Sequence, residues 1–184
     1  MASQRSMRGF ALIEVMVAVV VLAIGVLGAS AMQLVAMRVR YESQLLSNAA
    51  QMASAMADRM RANPGQIAAA YLSLDYDAHS ERAPARPARQ CWAEACDSAS
   101  LADADIHDLK RQVAAQLPAG RVRICRDAGM WASGQLRWSC EGGVGAPVVI
   151  KIGWRGKNPD GTPARDADGG YAPGVALAMA GVLP

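Results

Sequence analysis

The sequence has one phenylalanine and two histidines in 184 residues, and aromatic residues make up only 5% of it. It contains no C-x-x-C pair, P-loop, dinucleotide fingerprint or Ser/His/Asp arrangement. A zinc site combining cysteines with His79 or His107 lacks the usual ligand spacing, because Cys91 and Cys96 enclose four residues. The same spacing argues against a thioredoxin-like redox centre. Asp166-Ala167-Asp168-Gly169 has the opening of a calcium loop, but no glutamate stands at the loop's twelfth position, so a turn-rich connection is expected there. No cofactor, no metal and no enzymatic activity are expected from such a set. Charge is short too. Lys plus Arg number 19 against 16 for Asp plus Glu, a net +3, which does not describe a chain built mainly to bind nucleic acid.

Apolar residues are abundant, at 52% of the chain. Phe10 to Met32 form a run of 23 residues with one charge, Glu14. At about 1.5 Å per helical residue the run can cross a hydrocarbon core of roughly 30 Å. Arg5 and Arg8 precede it and favour a cytoplasmic N-terminus, although Arg38 and Arg40 follow it and weaken the bias. Three fates compete for the segment. Ala29-Ser30-Ala31 is an A-x-A site, as a secretory signal peptide would have, but the run exceeds the usual apolar core of such signals and contains a glutamate. An unprocessed anchor explains the length and leaves the cost of Glu14 in an apolar setting without a purpose.

The third fate gives Glu14 a purpose. Met7-Arg8-Gly9-Phe10-Ala11-Leu12-Ile13-Glu14-Val15 resembles the class III signal of type IV prepilins and pseudopilins. The resemblance implies that a dedicated peptidase cuts after Gly9, that the new N-terminal Phe10 is N-methylated, and that Glu14 is the assembly residue. It departs from the family at Ala11, where threonine is common. The physics is consistent, because a lone α-amino cation and a lone carboxylate are each costly in a lipid-like core and pairing offsets much of both costs. Removing residues 1–9 would leave 17 basic against 16 acidic side chains.

Beyond Met32 the chain turns polar without a breaker. Tyr41, Leu45, Ala49, Met52, Met56 and Met60 recur at spacings of three or four, one face of a helix, until Asn63-Pro64-Gly65 stops it. Residues 10 to 62 are thus expected to form one helix about 80 Å long. The methionine-rich stripe reads as packing rather than as a cofactor site. Met56-Ala57-Asp58-Arg59-Met60-Arg61-Ala62-Asn63-Pro64-Gly65 resembles the end of this helix in PilV-type minor pilins, the type IV pilus modification proteins, and Cys125-Arg126-Asp127 is similar to a further short segment of that family.

In the remainder, residues 66–100 read as irregular, and the basic, proline-interrupted stretch Arg82–Arg89 as a solvated loop. A second helix is expected from about Asp103 to Leu117, with Ile106, Leu109, Val113 and Leu117 on one face and acids in its first turn. Val148, Ile150, Ile152 and Trp154 alternate with Val149, Lys151, Gly153 and Arg155, the pattern of a half-buried strand. Val175–Met179, Arg121–Arg126 and Gln135–Cys140 are further strand candidates. Arg121, Arg123 and Arg126 between apolar residues fit either DNA contact or an edge strand that uses arginine against aggregation, and the latter is favoured.

Cys91, Cys96, Cys125 and Cys140, an even number and all beyond the apolar run, suit two disulfides in an oxidising compartment. Four cysteines allow three connectivities. Nearness favours a local Cys91–Cys96 loop, with Cys125 and Cys140 stapling a hairpin, yet simple alternation sets those two on unlike faces and leaves the map open.

The expected fold is α+β and pilin-like: a long N-terminal helix, first transmembrane and then amphipathic, packed on a small antiparallel sheet with a second helix. Its divisions are residues 1–9 as leader, 10–32 as the transmembrane half of the helix, 33–63 as its amphipathic half, and 64–184 as a periplasmic or extracellular globular head. The resemblance implies a minor pilin taking part in type IV pilus assembly, held in the inner membrane before it enters a surface pilus. The partners it implies are the major pilin, other minor pilins, the prepilin peptidase and the inner-membrane assembly platform. A type II secretion pseudopilin is the nearest alternative, and a periplasmic binding module released after Ala31 is one of another class.

Overall fold

The computed structural model describes residues 12–87, 89, 91, 94–143, 145–158, 161–163, 165 and 170–180. Helix α1 runs from Leu12 to Ala62. The chain divides into two compact units, the first ending at Ser43 and the second starting at Gln44. In the first unit, the described residues are all α1, without a proline to interrupt the run, and every one of them is exposed.

The second unit begins with the rest of α1, whose apolar positions turn inward. Leu45, Ala49, Met52, Ala53, Met56, Ala57 and Met60 are buried at helical spacing. Tyr41, expected on this stripe, is 52% exposed and lies in the first unit. The helix ends where the chain reaches Asn63-Pro64. The Asn63 N–H closes onto the carbonyls of Arg59 (3.1 Å) and Met60 (3.2 Å), and Pro64 opens a short 3-10 turn because it has no N–H to continue the ladder.

The stretch expected to be irregular contains structure. Tyr71–Ser73 form a second 3-10 turn, and Asp75–Asp77 form strand β1. Helix α2 spans Ser98–Gln116, so it starts five residues ahead of the expected Asp103. The reason is the cap: the Asp97 carboxylate accepts the Ser100 N–H at 2.7 Å and satisfies a donor the first turn would leave open. No acid stands in that first turn; Ala102, Leu109 and Val113 face the core, with Ile106 partly buried. At the turn after α2, Ala119 takes a left-handed conformation with φ of 46°. Its neighbour Gly120 is pressed so close to α2 that a Cβ would lie 2.7 Å from the Val113 carbonyl oxygen.

Strands β2 (Arg121–Arg126), β5 (Val148–Gly153) and β6 (Val175–Met179) complete a four-stranded antiparallel sheet in the order β1-β2-β5-β6. Val122 pairs with Ile152 and Ile124 with Ile150, and all four join the core formed by α1, α2 and the 3-10 turns. Each such fully buried aliphatic side chain contributes about 1.5–3 kcal/mol. The architecture is the α+β arrangement expected from the sequence, a long apolar helix with a small antiparallel sheet and a second helix.

Three expectations need correction. Strand β2 lies between β1 and β5, so its arginines do not guard an edge. Gln135–Cys140 is not a strand of this sheet; only Gln135–Leu136 (β4) is extended, and it pairs with Trp131–Ala132 (β3) in a separate hairpin turning through Ser133 and Gly134 at positive φ. Strand β5 is buried on both faces, with Lys151 fully enclosed. Alternation read Lys151 as a solvent-side residue, but the chain at Arg137 to Ser139 returns across that face and its carbonyls accept from the Lys151 ammonium.

The disulfides are Cys91–Cys96 and Cys125–Cys140, with Cα separations of 5.4 and 6.4 Å. Cys140 lies beyond β4 in irregular chain, so strand alternation does not govern where its side chain points.

Candidate functional site

In the first unit one charge stands out. Glu14 is exposed near the start of the described helix, among Leu12, Ile13, Val15, Met16 and Val17, which are 51–78% exposed. One turn on, positions 17 and 18 hold valine and alanine, so its own helix offers no cation there. The next basic residues along the helix, Arg38 and Arg40, lie 24 and 26 positions later, about 36 Å or more along the axis. Among the described residues Glu14 therefore has no partner within reach on the helix. The leader residues 1–9, the cleavage pair Gly9 and Phe10 and the methylation position Phe10 lie outside the described residues. The helix is long and apolar enough to cross a membrane, and none of that apolar stretch is buried by the rest of the chain. Leaving so much apolar surface in water forfeits roughly 25 cal/mol per Å². The surface calls for lipid or for other apolar helices. Ala29-Ser30-Ala31 lies inside the helix, where the Ser30 hydroxyl donates back to the Val26 carbonyl at 2.8 Å.

In the second unit the quoted motifs are joints. Arg59 donates to Asp105 at 3.0 Å and lies 3.6 Å from Asp108, tying α1 to α2. Asp105 also accepts from the buried Tyr71 hydroxyl at 2.8 Å, and the Asn63 amide donates to the Ser98 carbonyl at 2.7 Å. Burial, then the hydrogen bond to Asp105, pushes the Tyr71 phenol up to about 12. The Met56–Gly65 segment thus supplies core methionines, an interhelical ion pair, an amide tie and a stop.

Cys125-Arg126-Asp127 organises the returning segment. Arg126 donates to the Ala146 carbonyl at 3.0 Å. The fully buried Asp127 carboxylate accepts the N–H groups of Gly129 and Glu141, each at 2.9 Å, and meets the Lys151 ammonium at 2.5 Å. Lys151 further donates to the carbonyls of Arg137 and Ser139, both at 2.7 Å. Burial alone would raise the Asp127 carboxyl. The hydrogen bonds from Lys151, Glu141 and Gly129, together with the Lys151 charge, outweigh it and hold the group below its ordinary range. Sequence reading missed this pair; the one signal available was a lysine inside an otherwise apolar strand.

The arginines weighed as a DNA surface each hold internal partners. Arg121 makes three contacts of 3.1–3.2 Å with Asp75, and Arg123 donates to the Trp138 carbonyl at 3.2 Å. Among the described residues, no group of three or more His, Cys, Asp or Glu is placed to hold a metal ion. Asp166–Gly169, weighed for calcium, lies outside the described residues.

Residues 4–30 match the family described as the prokaryotic N-terminal methylation motif. No curated protein and no solved structure matches the chain. The matched stretch contains Glu14 and the start of the exposed apolar helix. It supports a prepilin-type, type IV pilin-like chain of a pilus or pseudopilus system, and suggests a structural subunit. Such a motif implies processing by a prepilin peptidase and assembly with other pilins, and the apolar helix fits membrane anchoring.

Proposed function

We propose that the chain is a minor pilin of the type IV pilus, of the PilV type. It is made as a prepilin, cut between Gly9 and Phe10 and methylated on Phe10. Residues 10–32 anchor it as a single pass in the inner membrane, residues 33–63 form the amphipathic half of the helix, and residues 64–184 form a head in the periplasm. The observation that carries this reading is the methylation motif running into a helix whose apolar side chains the chain itself leaves uncovered, with Glu14 as the lone charge between Leu12 and Met37. Assembly then moves that helix from lipid into a bundle of like helices, where Glu14 meets the Phe10 amine of a neighbour. The major pilin, other minor pilins and the inner-membrane platform are the partners. The Met56–Gly65 resemblance favours the pilus over a type II secretion pseudopilus.

Two experiments test the reading. Glu14→Ala should still lose its leader but enter pili at a small fraction of the wild-type level, measured by immunoblot of sheared filaments; normal incorporation removes the role given to Glu14. Deletion of the gene should abolish or reduce twitching. Loss of enzyme secretion with intact twitching would transfer the chain to a type II secretion system.

A further inference from the structure

At one end of the sheet, the last residues of β5, the first of β2 and the chain leading into β6 frame an open cleft of about 380 Å³. Its walls include Arg121, Trp138, Trp154, Arg155 and Tyr171, with Asp77 of β1 at the same end. Two aromatic rings there carry a guanidinium each: Arg121 lies 4.6 Å from the Trp138 ring centre and Arg155 lies 4.8 Å from that of Tyr171. Stacking keeps a planar cation in place and lowers the entropy lost when it grips a ligand.

Both cations retain donors. Arg121 spends Nε and Nη2 on Asp75, which leaves Nη1. Arg155 lies 3.7 Å from Asp77, too far for a hydrogen bond. The rings are seated on backbone that only glycine allows. A Cβ on Gly153 would come within 2.9 Å of Trp138, and one on Gly174 within 2.6 Å of Trp154. The Trp138 indole N–H also donates to the Tyr171 carbonyl. Ala119, the alanine held at φ of 46°, lines the same cleft. Strain of this kind gathers at binding sites.

We propose that this cleft binds a carboxylated sugar, a uronate unit of an acidic glycan. The Arg155 guanidinium can read a planar carboxylate with paired hydrogen bonds, and Arg121 adds a single donor through Nη1. Trp154, the cleft aromatic that carries no guanidinium, suits the C–H face of a pyranose ring, and Asp77 can accept from a ring hydroxyl while disfavouring a dianion such as phosphate. The volume lies near the lower end of the range for small-ligand sites, fitting one or two rings. Nucleic acid would need a track of free cations, and the neighbouring Arg123 and Arg126 are turned onto the carbonyls of Trp138 and Ala146. The proposal rests on the geometry of this domain and does not depend on the filament reading.

The test uses the full chain in a detergent without a sugar headgroup, titrated with galacturonate and trigalacturonate by calorimetry and tryptophan fluorescence. Galactose, inorganic phosphate and duplex DNA serve as competitors of other chemistry. The proposal expects saturable binding of the uronates and none of galactose. It further expects Arg155→Gln to weaken binding by about ten-fold or more, and Trp131→Ala, on the separate hairpin, to leave it unchanged. Absence of saturable uronate binding, equal binding of galactose, or tighter binding of phosphate or DNA overturns it. Undiminished binding by a folded Arg155→Gln does the same. If that variant does not fold, the contrast between galacturonate and galactose on the wild-type chain still decides.

Discussion

From Leu12 to Ser43 every side chain of α1 is exposed, valines and leucines included, whereas from Leu45 to Met60 the apolar positions of the same helix are buried at regular spacing. Composition already separates the two stretches, since valine, isoleucine and leucine crowd the earlier one while alanine and methionine supply most apolar positions of the later one. What differs as well is where the covering surface comes from. The later stretch finds it in α2 and the sheet of its own chain. The earlier stretch finds none there and, from Leu12 to Met37, keeps Glu14 as its one charge, so its environment must be supplied by lipid or other subunits. Substitutions in the later unit should therefore change the stability of the isolated chain, and those in the earlier stretch should change membrane and filament behaviour while leaving that stability alone.

The largest expected effect is at Lys151. Lys151→Met leaves the Asp127 carboxylate enclosed without its cation, a loss of about 3–5 kcal/mol on chemical unfolding. The wild-type pair also sets an acid limit. Because the folded Asp127 lies below its ordinary value of 3.8, its contribution is present above about pH 4 and disappears as pH falls through the folded value. At the other extreme, Tyr71 is raised from 10.0 to about 12, so stability should fall as pH rises through that interval. Lys151→Met should flatten the acid limb and leave the alkaline limb in place; an unchanged acid limb would show that Asp127 does not govern it.

Next in size is a matched pair within α1. Met56→Ala should cost about 2–5 kcal/mol, read from denaturant midpoints in one detergent. Val20→Ala, in the exposed stretch, should leave the midpoint of the later unit unmoved. Equal losses at both positions would break the comparison. The smallest effect has the opposite sign. Ala119→Gly relieves a left-handed alanine and should raise stability by about 1 kcal/mol; a decrease would show that Ala119 makes contacts worth more than its strain.

Much of this was legible from short-range pattern. The stripe ending at Asn63-Pro64, the inward face of α2, and strands β2, β5 and β6 all follow from local periodicity. Glu14 was legible for a similar reason, since one charge in a long apolar run is a local anomaly. Strand β1 was hidden because it has three residues, two of them aspartates, and owes its existence to pairing with β2. The start of α2 was hidden because its first turn is built from residues common in loops. The enclosure of Lys151 depends on chain returning from a dozen or more residues earlier, and the arginine–aromatic cleft gathers side chains from separate segments. Neither leaves a periodic trace.

The comparison between the two stretches of α1 rests on the earlier one being a processed polymerisation element. Mass spectrometry of the mature N-terminus, on protein purified from cells with an active prepilin peptidase, tests that claim most directly. The account predicts a chain beginning with N-methylated Phe10. A mature chain beginning at Met32 would contradict it, because the exposed apolar helix and Glu14 would then have been discarded.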